Sequence, residues 1–128
     1  MAVSTLTIDN INETIEGNDI VFIDFWAPWC APCRAFKPIF EAFAEAHPEI
    51  TCVACNTEEQ QELAAMFQIR SIPTLMIFRE QILVFAQPGL LPGEALEELL
   101  GKVKELDMDA VRTEIEAQQK QQGTGANA

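Results

Sequence analysis

The chain has 128 residues, 48% of them hydrophobic and 22% charged, which is the length of one ordinary domain and a normal globular composition. A chain this long buries enough surface to fold without staples, which excludes a disordered tail, a collagenous chain and a mini-protein dependent on disulfides. Eight basic residues stand against 20 acidic ones, a net charge of −12, so the basic face that nucleic acid or an anionic membrane surface requires is missing.

In chain order, strand and helix patterns alternate. Ser4 to Ile8 alternates polar and apolar and reads as an edge strand. Ile11 and Ile15 stand at helical spacing before Gly17 stops that segment. Ile20 to Trp26, IVFIDFW, is almost continuously apolar, as a strand buried on both faces should be. A helix is predicted from about Ala31 to His47, with Phe36, Phe40 and Phe43 as its apolar stripe and Pro48 as its stop; Pro38 inside it predicts a kink. Ile50 to Cys55 is a further strand, and Glu58 to Phe67 a helix with Leu63, Met66 and Phe67 on one side. Thr74 to Phe78 and Ile82 to Phe85 are close enough to pair as an antiparallel hairpin. Pro88, Gly89, Pro92 and Gly93 mark a loop, and Glu94 to Leu106 is amphipathic and helical. The expected division is a domain over residues 1–106, an appended helix over 107–117 carrying Met108, Val111 and Ile115, and a mobile tail over 118–128, whose sequence QQKQQGTGANA has little apolar surface to order it.

No apolar run approaches the roughly 20 residues of a membrane span. The start, MAVSTLTIDN, has neither the basic residues nor the long apolar segment of a secretion signal. The expected location is therefore the cytoplasm, where thiols are kept reduced.

Four cysteines form two pairs, Cys30-Ala31-Pro32-Cys33 and Cys52-Val53-Ala54-Cys55. As spacing alone this fits a zinc site. The contexts of the pairs differ, however. Cys52 and Cys55 fall in a predicted strand, where residues three apart point to opposite faces and cannot easily share one metal ion. They read as small buried hydrophobes, and no metal is expected. Cys30 and Cys33 instead follow a buried strand and open a helix, with Pro32 in the first turn, where its missing donor costs little. Unpartnered amides at a helix start stabilise a thiolate and make it an available nucleophile. Arg34 and Lys37 add positive charge. Asp24 lies inside IVFIDFW, where burying a carboxylate is expensive. Its pKa should rise, which suits a group that exchanges protons with a thiol. His47 sits at the far end of the helix that Cys33 opens, too far for a Cys-His nucleophile pair, and reads as a helix-terminus residue. For Ile72-Pro73, propensity alone favours a trans bond.

The run DFWAPWCAPC at 24–33, RSIPTLMIF at 70–78 and the downstream Gly89 resemble the thioredoxin family, in its order and spacing, over about residues 3–106. The resemblance implies an α/β architecture, a central mixed β-sheet flanked by helices, here with an appended C-terminal helix. It implies that Cys30 attacks a substrate disulfide, that Cys33 resolves the mixed disulfide, and that Asp24 assists proton transfer at Cys33. It implies a cis bond at Pro73 and a shallow substrate groove formed by Trp29, Ile72, Pro73 and Gly89 beside the Ala31-Pro32 dipeptide, with Arg70 adding charge near it. The implied activity is disulfide reduction by a monomer that needs no cofactor, acting on disulfide-containing proteins and recharged by a thioredoxin reductase. Two departures stand out: Ala31 replaces the commonest glycine, and the lysine often found near the buried acid is replaced by Ala54, or by Cys55 in a shifted register. The rival expectations are a disulfide isomerase or oxidant, and a docking module whose C-terminal extension recruits a partner.

Overall fold

The computed structural model describes the backbone of residues 2–127 and the side chains of residues 2–120. Five strands, β1 (Val3–Thr5), β2 (Ile20–Trp26), β3 (Thr51–Asn56), β4 (Thr74–Arg79) and β5 (Ile82–Pro88), form one sheet in the order β1-β3-β2-β4-β5. β1 and β2 lie parallel to β3, whereas β4 is antiparallel to both β2 and β5. The sheet is therefore mixed. The helices are α1 (Ile11–Glu16), α2 (Ala31–Ala46), α3 (Gln61–Met66), α4 (Gly93–Glu105) and α5 (Met108–Asn127).

Strand periodicity divides the core. Phe22 faces one layer, where it joins Phe36, Phe40 and Phe43 of α2 and Leu96, Leu100 and Val103 of α4. Val21, Ile23 and Phe25 face the other, with Ile11 of α1 and Leu63 of α3. Each fully buried large side chain contributes about 1.5–3 kcal/mol, so β2, apolar on both faces, is the structural centre. Cys52 falls in the first layer and Cys55 in the second. The opposite-face geometry expected of that pair is the one observed.

Element ends differ from the sequence reading for local reasons. β1 stops at Thr5 rather than Ile8 because Asn10 folds the chain back: its Oδ1 accepts from the Thr7 amide at 2.8 Å and its Nδ2 donates to the Thr5 carbonyl at 3.0 Å. α3 begins at Gln61 rather than Glu58 because the Asn56 side chain accepts from the amides of Glu58 and Glu59 and holds those residues in a turn. α5 runs to Asn127, past residue 117 where the sequence reading ends it; of the tail expected at 118–128, the side chains from 121 onward and the backbone of 128 lie outside the described residues. Met108 is buried at the start of α5, and Arg112 bonds Glu80 in the β4–β5 turn at 2.6 Å. Among the described residues, no helix is long and apolar enough to cross a membrane.

Candidate functional site

Cys30 is the N-cap of α2. Its backbone is extended (φ −87°, ψ 113°), and its Sγ accepts from the Cys33 amide at 3.2 Å, so the sulfur takes the place a capping oxygen usually fills. Pro32 lies in the first turn, where no amide donor is missed. Cys30 and Cys33 are joined as a disulfide with their Cα atoms 5.2 Å apart, and both are buried. Ala31 and Pro32, between them, are exposed.

The loop before β4 faces this pair. The Ile72-Pro73 bond is cis, as the resemblance implies and against the propensity for trans. The Ile72 carbonyl oxygen lies 3.7 Å from Cys30 Sγ. Gly89, at the end of β5, donates its amide to the Pro73 carbonyl at 2.8 Å with φ of 105°, a conformation that side-chain-bearing residues rarely adopt. Ile72, Pro73 and Gly89 are thus brought to the Cys30 side of the sheet. Trp29 is 64% exposed on the same lip, and Arg70 is exposed just upstream of Ile72.

Asp24 lies within β2. It is 4% exposed, and its Oδ1 is buried without a hydrogen-bond partner. Burial lifts its pKa to about 7, since the charged form loses hydration and gains no bond. A cavity of about 400 Å³ reaches this carboxyl, lined also by Cys33, Arg34, Lys37 and Ala54. Asp24 and Ala54 are register partners across β2 and β3, whereas Cys55 pairs with Phe25. Asp24 therefore faces Ala54, not Cys55, across the ladder.

The other titratable candidates lie elsewhere. His47 ends α2 with Nδ1 3.0 Å from Glu49 and Nε2 2.7 Å from Glu97. Cys52 and Cys55 are buried free thiols on opposite faces, pushed up to about 12 and about 11, first by burial and then by the charges of Glu49 and Asp24 respectively. The four cysteines therefore do not converge on one metal position.

Sequence reasoning missed the contacts around the Pro28-Trp29 turn. Glu58 accepts from Trp29 Nε1, Thr57 donates both its amide (2.8 Å) and its hydroxyl (3.1 Å) to the Trp26 carbonyl, and Arg34 Nη1 donates to the Pro28 carbonyl at 2.9 Å. The one available signal was Asn56 at a strand end ahead of Thr57-Glu58-Glu59, a side chain suited to capping a turn.

The comparisons agree with this geometry. The thioredoxin family matches residues 2–102. The chain is 52% identical over 118 residues to a Streptomyces coelicolor protein that bears the name thioredoxin 2, covering 92% of this chain and 88% of that one. It is 43% identical over 103 residues to a thioredoxin of Alicyclobacillus acidocaldarius, covering 80% of this chain and 98% of the relative. A mutant thioredoxin from Halobacterium salinarum superimposes with a TM-score of 0.73 at 30% identity, over 81% of this chain and 90% of the other. Chloroplastic thioredoxin z shares the fold with a TM-score of 0.75 at 23% identity, over 81% and 96% of the two chains. With a disulfide-forming CxxC pair at the start of α2 on this sheet, the chain belongs to the thioredoxin family and is a thiol-disulfide oxidoreductase.

Proposed function

We propose that the protein reduces disulfides in other proteins. The observation that carries this reading is the Cys30 sulfur at the N-cap of α2, accepting the Cys33 amide and lying beside the Ile72 carbonyl. In the reduced protein, the helix-start amides favour the Cys30 thiolate. That thiolate attacks a substrate disulfide, forming a mixed disulfide and releasing the first substrate thiolate. Cys33 then gives up its proton and attacks Cys30 Sγ, forming the intramolecular disulfide and releasing the second substrate thiolate. Two electrons pass to the substrate, and an external dithiol donor, a thioredoxin reductase, restores the pair.

Asp24 takes the proton from Cys33. A carboxyl with a pKa of about 7 both accepts and returns a proton near neutral pH. Both residues line the same cavity. Trp29, Ala31, Pro32, Ile72, Pro73 and Gly89 form the surface that receives the substrate segment. The domain over 1–106 carries the chemistry, the extension beyond it is an appendage, and the molecule works as a monomer in the cytoplasm.

The test is turnover of insulin disulfides with dithiothreitol as donor. The expected result is activity in the wild type, none in Cys30→Ser, and a trapped mixed disulfide in Cys33→Ser. Wild-type turnover in Cys30→Ser overturns the mechanism.

A further inference from the structure

The Pro28-Trp29 turn is held from two sides by residues of opposite charge. From α2, Arg34 Nη1 donates to the Pro28 carbonyl at 2.9 Å. From the β3–α3 turn, Glu58 accepts from Trp29 Nε1. Glu58 is itself fixed, because its amide donates to Asn56 Oδ1 at 2.9 Å while the neighbouring Thr57 donates twice to the Trp26 carbonyl. The turn needs such bracing. Trp29 is 64% exposed, so little packing restrains its ring, and a free indole loses rotamer entropy when a partner docks on it.

We propose that Arg34 and Glu58 are positioning residues that clamp the Pro28-Trp29 turn from opposite sides and present the Trp29 indole, already oriented, to a protein substrate. The inference rests on the proposed reduction of protein disulfides and adds to it two residues that bind substrate only through the turn they hold. A preset aromatic platform lowers the ordering cost of docking, so its loss should be read in KM rather than in kcat.

The opposite charges of the two residues separate this reading from an electrostatic one. If they acted only on the Cys30 thiolate, removing Arg34 would disfavour it and removing Glu58 would favour it, so the two substitutions would change reactivity in opposite directions. A clamp moves both the same way.

The experiment measures insulin reduction by the full chain and its Arg34→Ala, Glu58→Ala and Glu58→Gln variants, with hydrogen exchange at the Trp29 indole N–H followed by NMR. The expected result is a rise in insulin KM of about five-fold in both alanine variants with kcat within about two-fold, since one charged hydrogen bond at an exposed site is at stake. Glu58→Gln keeps an acceptor oxygen and should return KM to within about two-fold of wild type. Exchange at the indole N–H should speed up in Glu58→Ala and not in Glu58→Gln. Opposite effects in the two alanine variants, or an unchanged KM, overturn the clamp. If wild type fails to reduce insulin, the proposed function falls; the clamp is then judged by the exchange rates alone, and unchanged rates in Glu58→Ala overturn it.

Discussion

Asp24 stands directly opposite Ala54 in the β2–β3 ladder, so the buried carboxyl has a methyl group rather than a cation as its cross-strand neighbour. Its Oδ1 has no hydrogen-bond partner, and burial alone holds its pKa at about 7 against an ordinary 3.8.

This gap predicts a pH-dependent weakness. The folded chain keeps a proton on Asp24 that the unfolded chain gives up from about pH 4, so stability falls as pH rises through the window from 3.8 to about 7. A gap of about three pH units is worth of order 4 kcal/mol. Asp24→Asn should therefore be more stable than wild type at about pH 8, by up to that amount, and nearly equal to it at about pH 4. Urea denaturation at the two pH values checks this, and an equal difference at both would contradict it.

Cys52 and Cys55 should be inert in the folded protein. Burial pushes their thiols up to about 12 and about 11, so almost no thiolate exists near neutrality. Brief iodoacetamide treatment of the reduced native chain should label Cys30 and leave Cys52 and Cys55 unmodified until urea is added. Peptide mass spectrometry reads the outcome.

His47 should stabilise the chain chiefly when protonated. Its two ring nitrogens meet Glu49 and Glu97 at 3.0 and 2.7 Å, and only the imidazolium donates from both. Burial opposes the charge, but the bonds to Glu49 and Glu97 outweigh it and raise the pKa. The contribution is thus complete below the ordinary histidine value and disappears as pH rises through the raised one. His47→Gln should lower the melting temperature more at about pH 5.5 than at about pH 9. A loss independent of pH would show that the contact works without the charge.

Arg79 closes the end of α4. Its Nη1 lies 2.6, 3.1 and 3.0 Å from the carbonyls of Val103, Lys104 and Leu106, where the helix runs out of amide donors and only Val103 also accepts from the C-cap amide of Leu106. Arg79→Ala should cost about 1–3 kcal/mol in denaturant unfolding, because these acceptors lose a charged donor. Stability unchanged in that variant would assign the cap to Lys102 or Lys104 instead.

Much of this arrangement was legible in the sequence because it follows from short-range periodicity. IVFIDFW marked the central strand and made Asp24 conspicuous. The two-residue period of β3 separates Cys52 from Cys55. The cis bond at Ile72-Pro73 was legible only through the family motif, since propensity favours trans. What pairs distant segments was not legible. The partnership of Asp24 with Ala54 depends on strand register, and the bond from Trp29 to Glu58 joins residues 29 apart in sequence. β1 and α3 were misjudged at their ends because the Asn10 and Asn56 side chains compete with regular backbone pairing. The low apolar content beyond residue 117 predicted no helix, yet α5 continues to Asn127, since a helical backbone satisfies its own hydrogen bonds.

Cys30 and Cys33 should form a reversible two-electron couple poised to reduce other proteins. The most direct test is the reduction potential of the pair, read by equilibration in a thiol buffer at about pH 7. A value near about −270 mV is the predicted result. A value above about −200 mV would mark an oxidant or isomerase, and the absence of any reversible couple would contradict the account altogether.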